Sequence, residues 1–236
     1  MNKLYLIPST IGDTPPSQVI PEGTLQALRG LGTFVVEEVR TARRFLSAAG
    51  LKGQIDALEF HILNEHSSAE DVEALGALFE RASVGLISEA GLPAVADPGA
   101  ALVALCHRKG IPVVPLVGPS SLMLALMASG LDGQSFAFRG YLPAKTVERG
   151  AAIKRAEKDS AALCQTQIFI ETPYRGDALL QDFIRILSPS AMLCIAADIS
   201  LPTETIISRS VAEWRLEKDF KIGKRPCVFI ISAQSK

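Results

Sequence analysis

The chain predicts an α/β fold made of two α/β domains, the first sheet mainly parallel and the second mixed. Three observations predict it. Through the first half, short apolar runs alternate with amphipathic stretches of helical period, which implies a parallel sheet with helices on its faces. In the second half, some strand-like runs follow one another with no helix between them, which implies antiparallel pairs. Between the halves the sharp turn Val117-Gly118-Pro119-Ser120-Ser121 marks a join, giving expected domains of 1–116 and 117–236.

The elements follow in order. Lys3–Ile7 is an apolar strand stopped by Pro8. The stretch 8–21, PSTIGDTPPSQVIP, is too rich in Pro, Gly, Ser and Thr for regular structure. Helix over 22–31, strand over 33–37, helix over 40–49 ended by Gly50, and strand over 57–63 come next. Ser67-Ser68-Ala69-Glu70-Asp71 offers overlapping caps for a helix running to about Ala82. A strand ends at Leu86-Ile87, a helix covers 100–108 and closes at Gly110, and Ile111–Leu116 is a strand. Beyond the join come an apolar helix to about Met127, a strand over 135–140 and a charged helix over 146–158. A strand over 167–171 leads to a helix over 173–187 with Pro at its start. Strands at 191–197, 205–210 and 226–232, with a short helix near 211–217, complete the chain.

Composition narrows the function classes. Of 236 residues 48% are hydrophobic, enough for an ample core, and the net charge is −1, so any nucleic-acid contact must come from a local patch. Cys106, Cys164, Cys194 and Cys227 lie far apart in apolar runs and read as buried thiols of a reducing compartment. His61, His66 and His107 lack metal-ligand spacing, so no metal is expected. The start MNKLYLIPS reads as a strand followed by Pro rather than a signal peptide, and no apolar run reaches spanning length, so no membrane contact and a cytoplasmic protein are expected.

The stretch Leu86–Gly99, LISEAGLPAVADPG, is the centre of the first half. Two Gly and two Pro after a buried strand make a fixed, sharply turned loop. Such a loop at the carboxyl end of a strand is where open α/β sheets take ligands, though the same residues also suit a turn that only feeds the next helix. Small residues recur at other strand ends: Pro8-Ser9-Thr10, Gly118-Pro119-Ser120-Ser121 and Glu171-Thr172-Pro173. They let backbone approach a ligand closely, with Leu92, Val95 and Leu122 as apolar neighbours for a purine. Neither GxGxxG nor GxxxxGK[ST] is present.

In order, LISEAGLPAVADPG, VPLVGPSS, FRGYLPAK and IFIETPYR resemble the tetrapyrrole methylase family of S-adenosylmethionine-dependent methyltransferases. Within it they are most similar to the branch that 2′-O-methylates a cytidine ribose in 16S ribosomal RNA. The resemblance runs from LYLIPSTIGD to KRPCVFIIS. It implies a cofactor cleft between two α/β domains, S-adenosylmethionine as cofactor, ribosomal RNA as substrate, and a homodimer. It assigns the cofactor to Pro8, Gly91, Leu92, Val95, Ser120, Ser121, Glu171, Thr172, Pro226 and Cys227.

The same branch carries an acidic-acidic-x-Arg motif, here Glu37-Glu38-Val39-Arg40, and a His/Glu-rich stretch of which Glu65 and His66 remain. A ribose hydroxyl must lose its proton as the methyl arrives, so Glu38 and His66 are candidates for the base or for positioning substrate, with Arg40 beside them. A solvated strand end and a helix entry are the bland alternatives for these residues. For RNA, Arg40, Arg43 and Arg44 fall near one helix face. Between 139 and 158 six cations stand against two carboxylates, with Lys145 and Arg149 beside the LPAK turn; Arg175 follows the TPY turn. The branch's acidic-Leu-Thr-Lys motif is replaced by Asp198-Ile199-Ser200-Leu201-Pro202-Thr203. A small-molecule, tetrapyrrole-like methylase and a non-catalytic cofactor-binding paralogue are the other readings.

Overall fold

A computed structural model describes residues 1–233. The chain divides into two compact units, Met1–Ser120 and the residues from Ser121 onward.

The first unit runs β1 (Leu4–Ile7), α1 (Pro16–Val19), α2 (Glu22–Arg29), β2 (Thr33–Val36), α3 (Val39–Leu46), β3 (Glu59–Ile62), α4 (Ala69–Ala74), α5 (Leu78–Arg81), β4 (Val84–Ile87), α6 (Gly99–Arg108) and β5 (Val113–Pro115). Its five strands, ordered β3-β2-β4-β1-β5, are all parallel, as the alternation predicts. One core cluster joins α2 and α3 to the sheet through Leu25, Leu28 and Leu46 on Ile7, Phe34 and Val36. A second joins α4, α5 and α6 through Val72, Leu78, Leu102 and Leu105 on Leu4, Val35 and Val84. The sheet is thus covered on both faces, each buried Leu or Phe contributing roughly 1.5–3 kcal/mol.

Three elements differ from expectation. The 8–21 stretch holds the short helix α1, because Pro16 in its first turn has a φ already set for helix and lacks only an N–H that the turn leaves unpaired anyway. The helix expected to run to Ala82 is broken by a 3₁₀ turn at Leu75–Ala77, although Ser68 and Asp71 form its capping box. The third helix continues as a π turn over Ser47–Leu51 with Gly50 at φ +109°, a conformation only Gly adopts readily.

The second unit runs α7 (Ser121–Ser129), β6 (Phe136–Tyr141), α8 (Thr146–Leu163), β7 (Thr166–Glu171), α9 (Gly176–Ile186), β8 (Met192–Ala197), β9 (Thr205–Ser210), α10 (Val211–Trp214) and β10 (Cys227–Ser232). Its sheet, β6-β7-β10-β8-β9, pairs β6 and β7 parallel and the rest antiparallel, the mixed sheet expected. Phe169, Phe183, Phe229 and Trp214 anchor the core, and the Trp214 indole N–H donates to Leu193 O at 2.8 Å. The helix α8 outruns the expected 146–158 and stops at Cys164, which turns left-handed at φ +48°. That corrects one cysteine: Cys164 is exposed, whereas Cys106, Cys194 and Cys227 are buried. The helix α9 begins at Gly176 rather than Pro173, because Arg175 N turns back to Thr172 O at 3.1 Å and leaves TPYR outside the helix. Among the described residues, no helix is long and apolar enough to cross a membrane.

Candidate active site

Parallel strands put all their carboxyl ends at one edge, so in the first unit the loops after β1, β2, β3, β4 and β5 lie along that edge. The adjacent strands β1 and β4 lead to helices on opposite faces, α2 on one and α6 on the other. Loops that part in this way leave a crevice, the usual ligand position in an open sheet. The loop after β1 is tied to the loop after β4: Ser9 N donates to Gly91 O at 2.9 Å and Ser9 Oγ to Ser88 O at 3.1 Å. The loop after β5 presses on the first. A Cβ on Gly118 would lie 2.2 Å from Pro8 Cβ, so only glycine permits this approach. Five predicted residues, Pro8, Gly91, Leu92, Val95 and Ser120, therefore sit on loops that leave this edge.

The loop after β4 is held in a strained form. Gly91, Ala94 and Ala96 have φ of +73°, +64° and +60°. For alanine this backbone is costly and persists only where neighbours over-determine it. The Asp97 carboxylate supplies that constraint by accepting from Ala94 N at 2.9 Å and Gly99 N at 2.7 Å. Val95 is left exposed, while Pro8 and Gly91 are buried.

The two glutamates after β2 have different fates. Glu38 is the N-cap of α3: its carboxylate accepts from Arg40 N, Thr41 N and the Thr41 hydroxyl, at 2.8, 2.7 and 3.0 Å. Those hydrogen bonds hold its carboxyl below the usual glutamate range. Glu38, the expected base or positioning residue, thus also serves as the structural cap of α3. Glu37, half-buried, points the other way and accepts from Glu89 N at 3.1 Å. Burial pushes its carboxyl up, the Glu89 amide opposes this, and the nearby Asp97, Glu89 and Glu65 charges push it up further. Burial likewise raises Asp97 and Glu89, against the hydrogen bonds each accepts. Glu37, Asp97, Asn64, Glu65 and His66 line one shallow pocket. His66 is largely exposed and 3.6 Å from the Glu65 carboxylate. Among the described residues, no group of His, Cys, Asp and Glu could hold a metal ion.

In the second unit the predicted residues converge on one end of the mixed sheet. Cys227, at the start of β10, is in register with Glu171 at the end of β7 and Ala197 at the end of β8. Ser121 opens α7, which packs on the same sheet. The Glu171 side chain is fully buried; it accepts from Thr172 N at 2.7 Å and lies 2.9 Å from the Arg175 guanidinium. Arg175 also donates to Leu142 O. Burial pushes the Cys227 thiol up to about 12, so it is a neutral packing group, while Pro226 beside it is exposed.

The predicted cations divide. Arg40, Arg43 and Arg44 do line one surface of α3, and only Arg43 is ion-paired among the described residues, to Asp56 at 2.5 Å. Lys145 instead reaches Glu148. Arg149 is drawn into the fold: its side chain is 11% exposed and binds Asp182 at 2.7 Å as well as Pro143 O and Ala144 O.

No family model matches the chain. It is 34% identical over 219 residues to "Ribosomal RNA small subunit methyltransferase I" of Vibrio cholerae, covering 92% of this chain and 72% of the relative. The protein of that name from Escherichia coli O157:H7 is 34% identical over 89% of this chain and 70% of its own. The chain belongs to the ribosomal RNA small subunit methyltransferase I family. Members of this family are methyltransferases by name, and the chain is an enzyme of that class. Its fold agrees with that of diphthine synthase, at TM-score 0.68 and 15% identity over 99% of this chain and 90% of the other. It also agrees with uroporphyrin-III C-methyltransferase of Thermus thermophilus, solved with S-adenosyl homocysteine, at TM-score 0.55 and 19% identity over 98% of this chain and 97% of that one. The resemblance to the tetrapyrrole methylases read from the ordered loop motifs is therefore borne out in fold. Glu37 is quoted in the acidic-acidic-x-Arg motif without being singled out as a candidate, and the structure sets it beside Asp97, Glu65 and His66 while Glu38 caps α3.

Proposed function

We propose that this methyltransferase transfers the methyl group of S-adenosylmethionine to a ribose 2′-hydroxyl of small-subunit ribosomal RNA. Family membership over about nine-tenths of the chain carries the reading. Relatives at 34% identity bear the ribosomal RNA name, whereas the solved tetrapyrrole enzyme stands at 19%, which favours RNA over a tetrapyrrole-like substrate. We further place the enzyme in the cytoplasm as a homodimer, for which exposed Met127, Tyr141, Val147 and Leu163 provide apolar surface to bury.

The residues present fit the donor. In the first unit Pro8, Gly91, Leu92, Val95 and Ser120 are the proposed donor contacts; in the second unit the candidates are Ser121, Glu171, Thr172, Pro226 and Cys227. The tight Gly118–Pro8 approach and the left-handed turn at Gly91 present backbone rather than side chains, as a ligand held through main-chain groups needs. Bound there, the donor supplies an electrophilic methyl group on a sulfonium sulfur.

The chain's own work is to orient the hydroxyl and take its proton. Glu37 is placed for the second task. A carboxylate raised by burial and by like charges is a stronger base than a free one, and Glu37 is oriented by the Glu89 amide. His66 and Glu65 flank it on the solvent side, where the proton can leave. Glu38 holds the start of α3 and so aims Arg40, Arg43 and Arg44, which bind phosphates and fix the RNA strand. Lys145, Arg149 and Arg175 are engaged by Glu148, Asp182 and Glu171 and carry no phosphate in this reading.

Small ribosomal subunits from cells lacking this enzyme, incubated with the protein and methyl-labelled S-adenosylmethionine, should gain label in RNA. The labelled nucleotide should resist alkaline cleavage of its 3′ phosphodiester, because the 2′ oxygen is blocked. Label found only in the small-molecule fraction would overturn the RNA reading; no transfer to any fraction, with cofactor bound, would favour a non-catalytic paralogue.

A further inference from the structure

The first unit holds a cavity of about 470 Å³ that none of the assigned cofactor residues lines. Its walls are the loop after β1, the inner face of α3 and the first residues after β4. It adjoins the cofactor loops: Ser9, next to Pro8, and Glu89, two residues before Gly91, line it, and Ser9 N is bonded to Gly91 O at 2.9 Å. We propose that this cavity takes the base of the target nucleotide, swung out of its stack, with that nucleotide's phosphate on Arg44. The assignment rests on the RNA reading above.

Size, wall chemistry and surroundings point the same way. Small-molecule sites hold about 300–1,000 Å³, and this one falls inside that range. One wall is the half-buried Phe45 ring with Ala48 beside it, an apolar face against which a base can stack. Other lining groups are polar: the Thr10 hydroxyl and the Glu89 carboxylate, with the Thr41 hydroxyl already donating to Glu38. Hydroxyls both donate and accept, and a carboxylate accepts from an exocyclic amine, so these groups read a base edge that carries an amino group. At the mouth, Arg44 is shared between the cavity and the exposed groove that Arg40 and Arg43 line. A free nucleoside or a small planar acid has no use for a row of guanidinium groups leading away from its pocket. A strand of RNA does, because its next phosphates follow the row. An enzyme acting on one nucleotide inside a structured RNA must extrude it, and a pocket adjoining the cofactor loops leaves the ribose between the base and the methyl donor.

The test is a cavity-filling variant, Ala48→Phe, whose new ring enters the cavity from an exposed position on the helix face. It is assayed beside Arg44→Glu, another exposed position, for thermal melting, for calorimetric binding of S-adenosylmethionine, and for methylation of small ribosomal subunits. Both variants should melt with the wild type and bind cofactor within about twofold of it, while KM for the RNA substrate rises about tenfold or more. Loss of cofactor binding in Ala48→Phe would overturn the assignment by making the cavity a cofactor subsite. Unchanged KM in both variants, with an active wild type, would overturn it while leaving the RNA reading intact. A wild type that methylates only small molecules would overturn both. If Ala48→Phe fails to fold, Thr10→Phe, which fills the cavity from the loop after β1, takes its place: a raised KM at unchanged cofactor affinity supports the assignment, and wild-type kinetics overturn it.

Discussion

Two basic regions of the chain look alike as strings of residues and differ in the folded protein. On α3, Arg40, Arg43 and Arg44 share one surface; only Arg43 has an ionic partner among the described residues, and Asp56 there is almost fully exposed. At the start of α8 and the strand before it, the cations are answered. Arg139 binds Asp159, Lys145 binds Glu148, and Arg149 is buried against Asp182 together with Arg185. The difference teaches that a count of lysines and arginines does not locate an RNA surface. A cation already paired to a carboxylate must loosen that pair to take a phosphate, so Arg40 and Arg44 are better placed for RNA than Arg139, Lys145 and Arg149.

The largest effect expected concerns the carboxylates beside the α3 row. Glu37→Gln should lower kcat about 10²–10⁴-fold with cofactor affinity unchanged, the range for loss of a general base. The wild-type pH profile should show an acid limb displaced above the ordinary glutamate range, because activity waits for Glu37 to ionise, and the variant should lose that limb. The same residue carries a stability signature of the opposite sense. A carboxyl whose folded pKa is raised binds its proton more tightly when folded, so stability falls as pH rises from its ordinary value through the raised one. Glu37→Gln should flatten that fall in a series of melts.

Next in size is the buried pair of the second region. Arg149→Ala should destabilise the protein by about 2–4 kcal/mol, because it strands a largely buried carboxylate with only Arg185. Burial raises the Asp182 carboxyl, but hydrogen bonds from Arg185 and Arg149 outweigh it and leave it lowered. The stabilisation is therefore full above the ordinary aspartate value and disappears as pH falls through the folded value, and denaturant titrations between pH 2 and 7 should trace that loss. Gly118→Ala should cost about 1–3 kcal/mol and weaken cofactor binding, since its Cβ cannot share space with Pro8. The smallest effect belongs to Lys145→Ala, an exposed pair worth about 0.5 kcal/mol or less in a melt.

Much of this was legible in the residues. Strand and helix alternation in the first half was read correctly because both faces of the sheet are buried, which makes Leu4–Ile7 and Val84–Ile87 continuous apolar runs. The caps at Ser68 were legible because a serine followed three residues on by an acid has one local use. Cys164 was misplaced because a left-handed helix end exposes a residue whose neighbours are apolar. The division of labour between Glu37 and Glu38 was not legible from composition. It depends on an amide from Glu89, far along the chain, reaching the first and on the α3 N-terminus claiming the second. Arg149 was beyond reach for the same reason, since its partner Asp182 lies on another helix.

The most direct test of the central claim is the salt dependence of RNA binding in two double variants. For Arg40→Ala with Arg44→Ala, the slope of log affinity against log salt should fall by about 2, one unit per lost phosphate contact. For Lys145→Ala with Arg149→Ala, measured below the variant's lowered melting point, the slope should match the wild type. An unchanged slope in the first and a reduced slope in the second would contradict the account and move the RNA surface to α8.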